Sequence, residues 1–142
     1  MTDRTAGVTW IGGLGDGSGT INQVGSGAFG PLPVTWPSRA ESSDGRTSPE
    51  ELLAAAWASC FSMALAHGLG QAGSPPARLE TTATVTFEPG VGIVRGSIHV
   101  VGTVPGLDQD GFAAHAGAAK EGCPVSKALA GIPDVALEAR LT

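Results

Sequence analysis

The strongest hydrophobic pattern in the chain is a long apolar segment at residues 49–66, which predicts a helix. Ser48 is a suitable N-cap, and Pro49 fits the first helical position because its missing N–H would have no partner there. The two acidic residues that follow complement the positive end of the helix, and Gly68 and Gly70 mark its predicted end. Because nearly every side chain in the segment is apolar or small, we expect this helix to be buried on all sides.

Shorter alternating patterns on both sides of the helix predict strands. Residues 6–36 alternate apolar stretches with glycine-rich turns, which indicates a small antiparallel meander, and residues 37–48 form a polar loop. The runs 79–87 and 92–104 are typical of strands, and Pro89 and Gly90 supply a turn between them. We therefore predict a second, half-buried hairpin.

The last part of the chain predicts helices at 108–120 and 124–130 and a closing strand at 135–141. The order of strands, helix, strands, helices and strand indicates an α+β fold. A chain of 142 residues fits one domain with its own core, which we assign to residues 1–142. A helix that is apolar on every face needs more cover than one small sheet provides, so we predict a homodimer. A single curved sheet wrapped around the helix would serve equally well.

Charge and composition narrow the possible partners. The formal net charge is −5 and no cluster of Lys or Arg occurs, which argues against nucleic acid and against an anionic membrane surface. Small-molecule chemistry is the better expectation. The N-terminal residues lack the apolar core of a signal peptide, and the predicted helix is shorter than the roughly 20 apolar residues that span a bilayer. We therefore expect a soluble, cytoplasmic protein.

Cys60 and Cys123 are the only two cysteines, and each occupies a position where sulfur chemistry is plausible. Cys60 lies inside the apolar helix and should be buried. Cys123 lies directly ahead of the short helix that Pro124 opens, where the positive helix end can lower a thiol pKa from about 8.5 toward roughly 7 or below. Free cysteines are also commonly inert core residues, so the residues alone leave both readings open.

Other possible sites are weaker. The glycine-rich stretch at residues 13–19 is not followed by an amphipathic helix, so it predicts a hairpin turn and not a phosphate-binding loop. Three histidines are scattered singly, and we predict neither a metal site nor a cofactor. Arg39 and Arg46 lie in the polar loop, where they are either solvated or partners for Glu50. The residues alone favour solvated charges.

Two segments carry a resemblance to a known family. Residues 47–65, around Cys60, and residues 119–129, around Cys123, resemble the OsmC/Ohr family of thiol-dependent peroxidases. Residues 37–41 resemble the arginine loop of the family, and residues 104–108 resemble a turn before its last helices. The four residues from Cys123 to Ser126 are similar to the OsmC branch, since the Ohr branch usually has tyrosine where Val125 stands.

The resemblance implies a fold, an activity and a set of site residues. The fold is OsmC-like, with small antiparallel sheets around a long buried central helix in an intertwined homodimer. The activity is reduction of organic hydroperoxides to alcohols in oxidative stress defence, with an external dithiol, lipoyl-type in related proteins, as reductant. Cys60 is the peroxidatic cysteine and Cys123 the resolving one. Arg39 stabilises the thiolate and the leaving alkoxide, and Glu50 orients Arg39.

Two details of this assignment stay open. Apolar residues near Cys60 should favour organic hydroperoxides over hydrogen peroxide, and they are Leu53, Trp57, Phe61 and Met63. Trp57 is bulkier than the residue many relatives carry at this position, which affects the expected pocket volume. Glu51 is an alternative partner for Arg39, and we choose Glu50 because the family acid follows the proline directly.

Two other functions are compatible with the sequence. One is a binding protein for an apolar ligand in which the cysteines only pack. The other is a cysteine–histidine hydrolase, for which His67 is the nearest candidate base. His67 follows Cys60 by seven residues, which is roughly 10 Å along a helix and too far for direct proton transfer. The hydrolase therefore ranks last.

Overall fold

The computed structural model describes all 142 residues and shows an α+β architecture, with two three-stranded sheets and one long helix. The chain divides into two compact units, residues 1–52 and 53–142, and the single-domain assignment stays a prediction. The elements are β1 (Val8–Ile11), β2 (Ser18–Ile21), β3 (Leu32–Val34), α1 (Trp36–Ala40), α2 (Pro49–Gln71), β4 (Arg78–Glu88), β5 (Gly92–Thr103), α3 (Gln109–Gly122), α4 (Pro124–Ala128) and β6 (Asp134–Leu141).

The first unit contains the predicted meander. Strands β1, β2 and β3 pair antiparallel in sequence order, and the glycine-rich stretch forms the connection between β1 and β2. Trp10 faces Gly19 across the first pair, and a Cβ atom at Gly19 would lie 2.7 Å from the Trp10 ring. The glycine therefore leaves room for the indole to lie across the neighbouring strand.

Helix α1 falls where the sequence predicts the end of a strand and a polar loop, so that prediction is wrong. Thr35 caps the helix, because its hydroxyl accepts from the backbone N–H of Ser38 while the Ser38 hydroxyl contacts the backbone N–H of Thr35. Pro37 supplies a preset backbone angle in the first turn. Five residues are too few for a hydrophobic period, so the cap and the proline are the signals for this helix.

The second unit contains the predicted hairpin and one unpredicted pairing. Strands β4 and β5 pair antiparallel from Arg78 and Thr103 to Glu88 and Gly92, which confirms the hairpin. Strand β6 pairs parallel with β5, so the expectation of purely antiparallel sheets is wrong for this sheet. The reason lies in the connection, since α3 and α4 between the two strands provide the long crossover that a parallel pair requires.

Helix α2 contributes one apolar stripe to the core of the second unit. Trp57, Phe61, Leu65 and Leu69 recur every four residues and are buried. They belong to one cluster with residues of β5 and α3, which are Ile98, Val100, Phe112, Ala116 and Ala119. Packing of Leu69 in this cluster explains why the helix continues through both glycines that were predicted to end it.

The opposite side of α2 is open within a single chain. Ser59, Met63 and His67 are exposed, and 72% of the Met63 surface is accessible. The prediction of burial on all sides is therefore wrong for one copy of the chain. At 23 residues, α2 is also long and apolar enough to cross a membrane by length and composition, contrary to the length predicted above. Its buried stripe is nevertheless that of a core helix.

Two glycines of β5 adapt the sheet to aromatic rings. A Cβ atom at Gly96 would lie 2.7 Å from Cζ3 of Trp57, and a Cβ atom at Gly102 would lie 2.5 Å from Cζ of Phe112. Real side chains do not approach this closely, so both rings depend on the absence of a side chain below them. This seating fixes the indole of Trp57 next to the cysteine pair.

Candidate active site

The two cysteines meet although 63 residues separate them in sequence. Their Sγ atoms lie 3.0 Å apart, with the Cys123 thiol donating to Cys60. Helix α2 holds Cys60, which is partly exposed, whereas Cys123 is fully buried. Cys123 joins two helices, because its N–H donates to Ala119 at the end of α3 and its carbonyl accepts from Lys127 in α4. Both thiols are free and in contact.

The environment of Cys123 favours the thiolate. Burial raises the pKa of its thiol, but hydrogen bonds from Cys60, from the backbone N–H and hydroxyl of Ser126, and from the backbone N–H of Val125 outweigh burial. The pKa of Cys123 therefore lies below its ordinary value. This is the direction that a position directly ahead of a helix predicts.

The pKa of Cys60 is shifted in the opposite direction. Burial raises it, the hydrogen bond and the charge of Cys123 act in the same sense, and the backbone N–H of Val125 offsets only part of the shift. When the pair loses one proton, the remaining S–H is donated from Cys60 to Cys123, because the additional donors surround Cys123. The first negative charge of the isolated pair is thus held on Cys123.

A second contact joins residues near the two cysteines. The indole Nε1–H of Trp57 donates to Oγ of Ser126 at 2.8 Å, which connects α2 to α4 across 69 residues. Trp57 is 1% exposed. From the sequence, Ser126 is only part of the segment that resembles the family, and Trp57 is predicted to line the substrate pocket. The one signal available was the position of Ser126 in the first turn of the helix that follows Cys123.

Arg39 and Glu50 form an ion pair in the first unit. Nη2 of Arg39 donates to Oε1 of Glu50 at 2.7 Å, and Nε donates to both carboxylate oxygens at 3.1 and 3.2 Å. Arg39 lies on α1 and Glu50 in the first turn of α2. Glu51 instead accepts from the hydroxyl of Thr47 at 2.9 Å. The structure therefore pairs Arg39 with the first of the two candidate acids.

An apolar cavity of about 380 Å³ lies beside this ion pair, within the first unit. Arg39 is the only charged residue in its wall, and Trp36 packs near the guanidinium, with 6.0 Å between Cζ and the ring centroid. The remaining lining residues are Val8, Trp10, Leu14, Ile21, Val34, Thr35, Pro49 and Leu52. The cavity combines an apolar wall with one cation.

The apolar pocket predicted from the α2 residues near Cys60 does not form as expected. Trp57 and Phe61 are fully buried in the core, and Met63 points to the open side of the helix. Their helical positions explain the difference, because Trp57 and Phe61, four positions apart, share one side of α2, whereas Met63 is six positions from Trp57 and points about 120° away around the helix axis. No group of three or more His, Cys, Asp or Glu side chains that could hold a metal ion occurs in the chain.

Comparisons with known proteins identify the family of the chain. The sequence profile described as OsmC-like protein matches residues 42–138. The chain is similar to the protein named Peroxiredoxin OsmC from Escherichia coli (strain K12) and from Shigella flexneri. Each is 40% identical over 123 residues, which cover 84% of this chain and 85% of the relative.

Solved structures give the same relationship. An organic hydroperoxide resistance protein OsmC from Legionella pneumophila has 25% identity and a TM-score of 0.67, covering 97% of this chain and 96% of that one. The organic hydroperoxide resistance protein OhrB of Bacillus subtilis has 28% identity and a TM-score of 0.64, covering 97% and 98%. By sequence and by fold, the chain belongs to the OsmC family.

Proposed function

We propose that the protein is a thiol peroxidase that reduces organic hydroperoxides to alcohols through a Cys60–Cys123 disulfide. The observation that carries the proposal is the 3.0 Å approach of the two thiol sulfurs of this chain, Sγ of Cys60 and Sγ of Cys123. A disulfide bond requires about 2.05 Å between sulfurs, so a shift of about 1 Å is sufficient. The name of the 40% identical relatives supports peroxide reduction as the general activity.

In the first step, the Cys60 thiolate attacks the distal oxygen of the hydroperoxide. A sulfur–oxygen bond forms, the oxygen–oxygen bond breaks, and the alkoxide leaves and takes up a proton to become the alcohol. Cys60 becomes a sulfenic acid. Partial exposure of Cys60 makes it the cysteine that a substrate reaches, since Cys123 is fully buried.

This step requires negative charge on Cys60, whereas the isolated pair holds its charge on Cys123. We propose that the guanidinium of Arg39 moves the charge to Cys60 and stabilises the departing alkoxide. Glu50 orients Arg39 through the hydrogen-bonded pair and compensates its charge, so it acts neither as acid nor as base. Because the two sulfurs are in contact, a modest change in local potential is enough to exchange their protonation states.

In the second step, the Cys123 thiolate attacks the sulfenic sulfur of Cys60. The disulfide forms, and hydroxide leaves and is protonated to water. The low pKa of Cys123 supplies the attacking thiolate, and disulfide formation protects Cys60 from oxidation to sulfinic acid. An external dithiol, for which a lipoyl-type group is our candidate, then returns both cysteines to thiols.

The apolar cavity beside Arg39 supports an organic over an inorganic hydroperoxide. Its wall offers apolar surface to a hydrocarbon group and a single cation to the peroxide oxygens. Hydrogen peroxide has no hydrocarbon group and gains nothing from such a wall. We propose the cavity as the substrate pocket, in oxidative stress defence.

We further propose that the protein is a cytoplasmic homodimer. The open stripe of α2, defined by Ser59, Met63 and His67, is flanked by exposed Ala55 and Ala56, so its exposed surface is largely apolar. A second copy of the chain is our candidate to cover it, which is the first of the two kinds of cover that the sequence predicts.

The deciding experiment is non-reducing mass analysis after one equivalent of cumene hydroperoxide. We expect loss of two hydrogens from one chain and a peptide in which Cys60 and Cys123 are joined. Cys60→Ser should show no peroxide consumption, and Cys123→Ser should accumulate sulfenic acid. Two persistent free thiols would overturn the proposal and favour an apolar-ligand binding protein.

A further inference from the structure

The contact between Trp57 and Ser126 joins a residue three positions before Cys60 to one three positions after Cys123, and it has no part in the peroxidase steps above. Trp57 is buried, it is seated on Gly96, and its indole N–H donates to Oγ of Ser126 at 2.8 Å. An indole nitrogen is a donor only. The lone pairs of the Ser126 hydroxyl therefore receive the Trp57 proton, and the hydroxyl proton is directed to another acceptor.

Cys123 is the candidate acceptor, because it lies three residues before Ser126, directly ahead of α4. Hydrogen bonding from the hydroxyl and backbone N–H of Ser126, and from the backbone N–H of Val125, acts against burial and lowers the pKa of the Cys123 thiol. Trp57 thus acts through Ser126, because acceptance of the indole proton fixes the hydroxyl in the orientation that donates to sulfur.

We propose that Trp57 and Ser126 are positioning residues that make Cys123 the leaving group when the Cys60–Cys123 disulfide is reduced. The proposal rests on the proposed function, since it concerns the disulfide formed in that cycle. It assigns an order to the reductive half of the reaction: the external thiol joins Cys60, and Cys123 departs.

The step balances as a thiol–disulfide exchange. The thiolate of an external dithiol attacks Sγ of Cys60, a new disulfide forms between them, and the Cys60–Cys123 bond breaks with its electron pair on Sγ of Cys123. The second thiol of the reductant then attacks the reductant sulfur of the mixed disulfide, which closes a disulfide within the reductant and releases Cys60 as a thiolate. A leaving thiol of lower pKa departs faster, so donors aimed at Cys123 accelerate the first exchange.

Accessibility points in the same direction. Cys60 is partly exposed and Cys123 is fully buried, so an incoming thiolate reaches Sγ of Cys60 from outside. Attack at sulfur requires approach from the side opposite the leaving group. The buried position of Cys123 therefore fits that of the leaving sulfur.

The test uses a disulfide made with diamide, so that its outcome does not depend on peroxidase activity. The reduction rate by dithiothreitol is measured for the parent chain, Ser126→Ala, Trp57→Phe and Ser126→Thr. Ser97→Ala is the matched control, because residue 97 lies on β5 beside Gly96 but on the other face of the sheet. We expect Ser126→Ala to slow reduction by roughly three- to tenfold and Trp57→Phe by a smaller factor. Ser126→Thr, which keeps the hydroxyl, and Ser97→Ala should reduce at the parent rate.

A second readout excludes a merely structural effect. The chain contains no tyrosine, so the alkaline rise in ultraviolet absorbance reports thiolates alone. In a Cys60→Ser background, Ser126→Ala should move the Cys123 titration to higher pH, with roughly tenfold less thiolate at a given pH below the midpoint. Acid quenching during reduction by 2-mercaptoethanol should place the adduct on Cys60.

Three results would overturn the proposal: parent reduction rates in both Ser126→Ala and Trp57→Phe, an unmoved Cys123 titration, or an adduct on Cys123. Failure of the peroxidase function would appear separately, as thiols that resist hydroperoxide while the diamide disulfide still forms and is reduced in the expected order.

Discussion

Glu50 holds Arg39 by three hydrogen bonds in which the carboxylate is buried, with 7% of its side chain exposed, and the guanidinium retains 31%. The buried partner therefore fixes the partly exposed one. This asymmetry suits the role that we propose for Arg39, because the acid restricts the orientation of the guanidinium without covering it. A lysine could not reproduce the arrangement, since its ammonium lacks the planar fork that pairs with both oxygens.

The first prediction concerns this pair. Glu50→Gln should lower hydroperoxide turnover by roughly tenfold to hundredfold, because the orientation of Arg39 is lost while the cation stays. Peroxide consumption with a dithiol reductant measures the effect. Glu51→Gln is the control, since Glu51 contacts Thr47 instead, and it should keep near-parent turnover. Equal losses in both variants would remove the orienting role from Glu50.

The second prediction concerns the titration of the cysteine pair. Because the pKa of Cys123 is lowered and that of Cys60 is raised, the reduced protein should release its thiol protons in two steps that lie on either side of the ordinary cysteine value. Ultraviolet difference titration measures both steps. A single step that releases both protons together would contradict the coupling of the two thiols.

The same two pKa shifts make the stability of the folded protein depend on pH. Between the lowered pKa and the ordinary value, the folded state binds fewer protons than the unfolded state, so the contribution of the pair to stability rises with pH. Between the ordinary value and the raised pKa, the folded state binds more protons, so that contribution falls. The free energy of unfolding of the reduced protein, measured with denaturant across this pH range, should therefore pass through a local maximum. Cys60→Ser removes the upper titration step, so its free energy of unfolding should not fall on the alkaline side of that maximum.

The third prediction concerns packing at Gly102. Gly102→Ala places a methyl group 2.5 Å from the buried ring of Phe112, so we expect destabilisation by about 1–3 kcal/mol in denaturant unfolding. Gly117→Ala is the matched control. Its added methyl group meets nothing within 4 Å, and alanine in place of glycine inside α3 should stabilise by about 0.5–1 kcal/mol. Destabilisation by both variants would mean that backbone conformation, and not the ring contact, determines the result.

The fourth prediction tests the open stripe of α2. We expect a dimer in sedimentation analysis of the parent chain and a shift to monomer in Met63→Glu, because a carboxylate would be buried without a partner in the covered stripe. Val91→Glu changes an equally exposed apolar residue, 68% accessible against 72% for Met63, in the turn after β4, and should leave the dimer intact. A parent chain that sediments as a monomer would sink the dimer proposal.

Most elements of the fold are predictable because local patterns encode them. The hairpin of β4 and β5 appears within one residue of its predicted limits, since strand alternation and the Gly90 turn lie in the sequence itself. The parallel pairing of β6 does not follow from alternation, because the period of a strand is the same in both pairing directions. Only the length of the connection, with two helices in it, indicates the crossover.

The candidate site was likewise predictable only in part. The family resemblance assigned Cys60, Cys123, Arg39 and Glu50, and the structure places them in two contacting pairs. The lowered pKa of Cys123 follows from its position directly ahead of a helix, but its coupling to Cys60 was not predictable from the residues alone, since it depends on the contact of two sulfurs that lie 63 positions apart. Burial of α2 was overestimated for the same kind of reason, because composition does not tell which chain covers a helix face.

The close approach of Gly96 and Trp57 restricts which residues can occupy these two positions. An indole at position 57 and a side chain at position 96 exclude each other, because a methyl group on Gly96 would overlap the ring. A chain with a smaller residue at 57 is released from this exclusion. Among related proteins, we therefore expect the side-chain volumes at these two positions to vary inversely. Glycine should occupy position 96 wherever a large ring occupies position 57. Engineering that introduces a large ring at this position into a relative should change both sites together.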